Sequence, residues 1–283
     1  MFIFNANINS IIKKTNISIS INIFRSITQN HVKETVNSQE VEHHSNMKEF
    51  WWKSNGPLNA LHSLNPLRVS FIINGLVNMK KIETENIGTR QSLKNIKILD
   101  VGCGGGLLTE ALARLDSNVT GIDPSKDLIS IAIDHSVILR NKKIKYINES
   151  IEEHVKLNAE TYDAIVTSEV LEHVSNKYSF LTSCAECLKP GGSLFITTPN
   201  RTLSSWLSVI IIGETFNFIP KGTHEWEKFI CPHELQSILE MNCKCDTISI
   251  NGLSYEPFTN HWCWTNLTDV SYAIHAVKNN STI

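Results

Sequence analysis

The segment Ile98-Leu99-Asp100-Val101-Gly102-Cys103-Gly104-Gly105-Gly106 constrains this chain more than any other. An apolar run of strand type, Lys97–Val101, leads into it, and a helical pattern from about Leu107 to Leu115 leads out. Glycine at Gly102, Gly104 and Gly106 lets a ligand approach the backbone where no Cβ intervenes. The free N–H groups at the helix start favour an electron-rich group. Asp123 follows Gly102 by 21 residues and closes a second strand, Asn118–Ile122. There its carboxylate can accept hydrogen bonds from both hydroxyls of a ribose. A dinucleotide fingerprint G-x-G-x-x-G fits poorly, because its third glycine falls on Leu107.

Strand and helix patterns go on alternating downstream. A helix over Pro124–Leu139 precedes strands at Ile144–Ile147 and at Tyr162–Thr167, the latter ending at Ser168. A helix from about Ser175 to Leu188 stops at Lys189-Pro190-Gly191-Gly192. A strand over Ser193–Thr198 ends at Pro199, and Asp269–Val277 is a candidate last strand. Such alternation implies parallel strands joined by crossover helices, hence a doubly wound α/β sheet. Upstream, residues 41–80 read as helical segments broken at Gly56-Pro57, and Thr84–Asn95 reads as a polar connection.

The 33 N-terminal residues are a different kind of sequence. They hold Lys13, Lys14, Arg25 and Lys33 and no acidic residue, whereas the remainder carries 22 basic against 28 acidic residues. A basic, acid-free, Ser-containing leader has the composition of a mitochondrial transit peptide, so the folded domain is expected over 34–283. The alternation of Ile17, Ile19, Ile21 and Ile23 suits a strand better than the amphipathic helix of such leaders. The net acidity of the rest disfavours nucleic-acid partners, which select basic, aromatic-interleaved surfaces. No apolar run approaches the ~20 residues needed to span a bilayer. Seven cysteines, spread thinly, suit a reducing compartment. Cys184, Cys187, Cys243 and Cys245 match no common zinc spacing and read as buried thiols.

At the end of the fourth strand stands Ser168-Glu169-Val170-Leu171-Glu172-His173. If residues 169–173 form a helical turn, Glu169, Glu172 and His173 share one face. Two carboxylates and an imidazole suit a divalent metal with open positions for water or substrate. Spacing alone leaves three roles open: metal ligation, packing or hydrogen bonding, and proton removal by His173.

Asp100 before alternating glycines, with Asp123 on the second strand, resembles motif I of class I S-adenosylmethionine-dependent methyltransferases. From about Phe50 onward the chain resembles more narrowly the ubiquinone-biosynthesis O-methyltransferases. The segments that carry this are Phe50-Trp51-Trp52, Leu64-Asn65-Pro66-Leu67-Arg68, Ile122-Asp123-Pro124-Ser125, Ser168 to Val174, Thr197-Thr198-Pro199-Asn200 and Pro220 to Trp226. The resemblance implies a mostly parallel, seven-stranded, Rossmann-like sheet with helices on both faces. It implies S-adenosylmethionine contacts at Arg68, Gly102, Asp123 and Ser168, and magnesium at Glu169, Glu172 and His173. It further implies methylation of ring hydroxyls on polyprenyl-dihydroxybenzoate and demethylubiquinol, membership of a multi-subunit biosynthetic complex, and a peripheral place on the matrix side of the mitochondrial inner membrane.

The run Trp206–Ile219, rich in Leu, Val, Ile and Phe, is a candidate for a membrane-facing segment that admits a polyprenyl tail. All six tryptophans are expected outside the strand–helix core. Alternative functions are a methyltransferase acting on another small phenol or on RNA, and a non-catalytic scaffold that keeps the fold.

Overall fold

Side chains of successive strand residues point to opposite faces of a sheet. Here both faces are covered, and the apolar runs divide accordingly. Leu99, Ile165, Leu194 and Ile196 join one core with Leu181, Cys184, Leu235 and Leu239. Ile98, Ala164, Val166 and Phe195 join a second core with Ile72, Leu76, Leu108 and Leu112. The computed structural model describes residues 35–36, 41–42, 45, 48–139, 143–205 and 226–280, all within the compact unit Thr35–Ile283. The leader and the Trp206–Ile219 run lie outside the described residues.

In chain order the elements are α1 (Asn59–Asn78), β1 (Lys97–Val101), α2 (Leu107–Ala113), β2 (Asn118–Ile122), α3 (Lys126–Leu139), β3 (Ile144–Ile147), α4 (Ile151–Asn158) and β4 (Tyr162–Ser168). Then come α5 (Lys177–Cys187), β5 (Leu188–Pro199), α6 (Pro232–Met241), β6 (Cys245–Glu256), β7 (His261–Thr265) and β8 (Ser271–Lys278). The sheet order is β3-β2-β1-β4-β5-β8-β6-β7. Strands β1 to β5 pair in parallel, and β8 runs antiparallel between β5 and β6.

This is the expected doubly wound sheet with one strand more than seven. The addition is β7, a hairpin partner of β6 at the sheet's edge. It carries Trp262 and Trp264, so these two tryptophans belong to the sheet, contrary to expectation. The Lys189-Pro190-Gly191-Gly192 stop also differs: α5 ends at Cys187, and those four residues already belong to β5. The register between β4 and β5 shifts there, which absorbs the proline and glycines as an irregularity of the ladder. Cys184, Cys187, Cys243 and Cys245 are all buried in one core, and burial raises their thiol pKa values, Cys187 and Cys245 to about 12.

Helix α1 approaches the sheet closely at Gly75. A Cβ there would lie 2.8 Å from Phe195 Cζ and 3.1 Å from His275 Nδ1. Neither ring has room to retreat, because the two stack at 4.4 Å and His275 Nε2 lies 3.1 Å from Ser193 Oγ. Alanine gains roughly 1 kcal/mol over glycine in a helix, but overpacking a core costs about 1–3 kcal/mol. Gly75→Ala is therefore expected to lower the urea-unfolding free energy by up to about 2 kcal/mol; an increase would show that this contact is slack.

Candidate active site

The carboxyl ends of parallel strands are where an α/β sheet offers a crevice. Here β1, β2 and β4 end side by side, with Asp100 in register with Gly121 and Val166. A cavity of about 270 Å³ opens at this edge, and Arg68, Gly102, Asp123, Ser168, Glu169, Glu172 and His173 all line it. The side chains singled out from sequence thus meet in one place.

The glycine loop lines the cavity at Gly102 and Gly104 and is also packed by protein side chains. Gly102 has φ +73, and a Cβ on it would lie 2.5 Å from Val170 Cγ2. At Gly104 (φ +53) and at Gly105 the indole of Trp51 fills the space, and at Gly106 the Tyr146 hydroxyl does. The missing Cβ atoms admit protein side chains at these positions. The loop is tied to β2 by Gly102 N–H and Cys103 N–H, which donate to Ile122 O at 2.9 and 3.0 Å. Asp123 is held from both sides: Gly104 N–H donates to its Oδ2 at 2.9 Å, and Ser125 N–H to its Oδ1 at 2.8 Å. Each carboxylate oxygen keeps a further lone pair for a ribose hydroxyl.

Arg68 arrives from α1. Its Nη1 donates to Ser168 Oγ at 3.1 Å, and its Nη2 to Asn65 Oδ1 at 2.5 Å and to Leu61 O at 3.2 Å. Thr197 Oγ1 donates to Glu169 Oε1 at 2.7 Å and lies 2.6 Å from Ser168 Oγ. One hydroxyl carries one proton, so Ser168 must donate to Thr197. The result is a directed chain from Arg68 through Ser168 and Thr197 to Glu169. Thr198 Oγ1 separately donates to Glu172 Oε2 at 2.9 Å, while Glu172 Oε1 is buried without a partner. Thr197 and Thr198 were legible only as part of a family segment. Their role comes from β5 pairing with β4, a contact between residues 28 and 29 apart.

The triad does not share a helical face. Glu169 is left-handed, with φ +57, and only Leu171–His173 form a 3-10 turn. The two carboxylates are also anchored by successive residues of β5, which point to opposite faces of the sheet. Among the described residues no three His, Cys, Asp or Glu side chains are grouped to hold a metal ion. Carboxylate and imidazole are nonetheless donor types that a divalent cation takes. Burial, then the neighbouring Glu172, push Glu169 up to about 7, and burial raises Glu172 as well. Glu172 Oε1 remains an unused buried acceptor.

Burial also holds Asp100 and Asp123 near 6, although Thr109 Oγ1 donates to Asp100 Oδ2 at 2.6 Å. Unfolded, both would titrate near 3.9. Folding then favours their protonated forms, a contribution complete below about pH 4 and lost as pH rises through about 6. The Tm of the ligand-free protein should therefore fall between about pH 4 and pH 7 and level off above that. Asp100→Asn cannot ionise yet still accepts from Thr109, so its decline should be shallower. Calorimetry across that range checks this; parallel curves for the two proteins would contradict the assignment.

Residues 99–196 match a family model described as a methyltransferase domain. A rat protein named ubiquinone biosynthesis O-methyltransferase, mitochondrial, is 46% identical over 249 residues, covering 87% of this chain and 70% of its own. A Pelagibacter ubique protein named ubiquinone biosynthesis O-methyltransferase is 35% identical over 246 residues, covering 87% of this chain and 99% of its own. Among solved structures, magnesium protoporphyrin IX methyltransferase of Synechocystis, with bound S-adenosylmethionine, superposes with a TM-score of 0.53 at 14% identity, over 90% of this chain and 96% of its own. A Thermotoga maritima S-adenosylmethionine-dependent methyltransferase gives 0.53 at 14% identity, over 84% and 100%. The fold is thus that of the class I S-adenosylmethionine-dependent methyltransferases. Within that class, the chain belongs to the ubiquinone biosynthesis O-methyltransferase family.

Proposed function

We propose that this chain methylates ring hydroxyls of polyprenyl-dihydroxybenzoate and demethylubiquinol, with S-adenosylmethionine as donor. The observation that carries the reading is the single cavity at the sheet edge. Arg68, Asp123, Ser168, Glu169, Glu172 and His173 all line it. The hydroxyl chain from Arg68 to Glu169 links a donor-contact candidate to an acid of the candidate metal set.

When bound, the donor would supply an electrophilic methyl carbon on a sulfonium: a ring oxygen would attack it in line as its proton is lost to water, the C–S bond would break, and S-adenosylhomocysteine would leave. Asp123, held by Gly104 and Ser125, accepts from the ribose hydroxyls. Arg68, fixed by Asn65 and Leu61, orients Ser168 beside the donor. Aligning two reactants in this way contributes several kcal/mol toward the barrier. Glu169 and Glu172 line the same cavity. The proposal includes a divalent cation, magnesium, held by Glu169, Glu172 and His173. The buried, unpartnered Glu172 Oε1 supports it. Such a cation would favour ionisation of a ring hydroxyl, whose ordinary pKa is about 10.

The proposal extends to a peripheral site on the matrix face of the mitochondrial inner membrane, within a multi-subunit biosynthetic complex. The mitochondrial names of the mammalian relatives and the acid-free leader support this. No helix among the described residues is long and apolar enough to cross a membrane.

Two substitutions test the reading. Asp123→Ala should weaken S-adenosylhomocysteine binding at least about tenfold by calorimetry, since two charge-assisted hydrogen bonds are lost. Glu172→Gln should keep that binding, lose most methyl transfer to a prenylated catechol, and weaken magnesium in a direct titration. Unchanged magnesium binding in Glu172→Gln removes the cation from the proposal. Intact methyl transfer in Asp123→Ala removes the proposal itself.

A further inference from the structure

Trp51 is large, 7% exposed, and lines the cavity directly over the glycine loop. Its ring occupies the space that a Cβ on Gly104 or Gly105 would need, and its Nε1 is among the atoms closest to that position at Gly105. The segment that carries it is pinned. His62 Nε2 donates to Trp51 O at 2.8 Å. The neighbouring Trp52 donates from Nε1 to Gly105 O at 3.1 Å and stacks on His135 at 3.4 Å, and His135 Nδ1 lies 2.7 Å from Glu110 Oε1. Trp52 thus satisfies its indole donor within the protein. Trp51 does not: its Nε1–H is buried and has no partner.

A buried donor without an acceptor is destabilising, and tryptophan normally finds one when buried. A donor left open over Gly104 and Gly105, in the wall of the cavity that Asp123 also lines, is complementary to an acceptor atom brought by a ligand. We propose that Trp51 is a cofactor-binding residue: its indole N–H donates to an acceptor atom of the nucleoside cofactor, and its ring closes the glycine loop over it. This rests on the reading of the cavity as the S-adenosylmethionine site.

The test uses the full chain and its Trp51→Phe variant, with S-adenosylhomocysteine and 5′-methylthioadenosine as calorimetric probes. Phenylalanine keeps an aromatic cover and removes the donor. S-adenosylhomocysteine should bind the variant about five- to tenfold more weakly, the scale of one hydrogen bond. An equal loss for 5′-methylthioadenosine assigns the acceptor to the nucleoside, and an unchanged affinity for it assigns the acceptor to the amino-acid arm; both support the proposal. Equal affinity of wild type and variant for S-adenosylhomocysteine overturns it. Failure of the wild type to bind that probe overturns the reading of the cavity instead. Should the variant not fold, the wild-type Trp51 indole N–H resonance, identified by its proximity to Gly104 and Gly105, decides. It should move downfield on saturation with S-adenosylhomocysteine, and an unmoved resonance overturns the proposal.

Discussion

The site depends on an imbalance of charge at one edge of the sheet. Asp100, Asp123 and Glu172 are buried, Glu169 lines the same cavity, and Arg68 is the guanidinium among them. Burial lowers the Arg68 pKa while Asp100 and Glu169 raise it, so each charge leans on its neighbours. A carboxylate removed from water is costly unless it is paired or hydrogen-bonded. Here the hydrogen bonds are supplied locally, by Thr109, Gly104, Ser125, Thr197 and Thr198. They hold the acids in place without neutralising them. A cavity with more acids than bases favours a ligand that brings positive charge, and a sulfonium donor does so.

Helix α1 is what makes the arrangement possible. It covers one face of the sheet through Ile72 and Leu76, and it also delivers Arg68 to the rim. Asn65 links the two tasks. Its Oδ1 accepts from Arg68 while its Nδ2 donates to Leu107 O at the start of α2. The helix that follows the glycine loop and the arginine beside the cavity are therefore fixed by one side chain. Arg68 Nε is buried without a partner, so the guanidinium keeps a donor for a ligand even after three hydrogen bonds within the protein.

Strands β1, β2, β4 and β5 were legible because each carries a buried apolar run punctuated by glycine, proline or a polar turn, and β3, which has no fully buried residue, through its Ile and Tyr content. Beyond β5 the signals conflict. The pair Asn251-Gly252, a residue combination common in turns, lies inside β6. Glycine is needed there because the backbone of Leu267 passes where a Cβ would stand. Strand β7 has no buried residue, so no hydrophobic alternation marks it. Two helices had readable starts that apolar periodicity alone does not reveal. Ser150 and Glu153 form a capping box before α4, and Pro232 with Glu234 opens α6. In the site, residue type and motif found the groups that line the cavity. Thr197, Thr198 and Trp51 act through neighbours distant in sequence, and spacing carries no sign of that.

The departure at Glu169 explains how one short turn serves both faces. A left-handed residue other than glycine costs roughly 1–2 kcal/mol, and here compensation is visible. Glu169 N–H donates to Thr197 O at 2.9 Å, prolonging the β4–β5 ladder by one step, and its carboxylate folds back to Thr197 Oγ1. Thr197 follows Phe195 in facing the α1 side, and Thr198 follows Ile196 in facing the α5 side. Glu169 is therefore anchored with Arg68 and Ser168, whereas Glu172 is anchored toward the side of Lys177, whose charge acts on it. A helical turn would have put both acids on one side, clear of Arg68 or clear of Lys177. The strained turn instead anchors the two acids on successive residues of β5 while both carboxylates still line the one cavity.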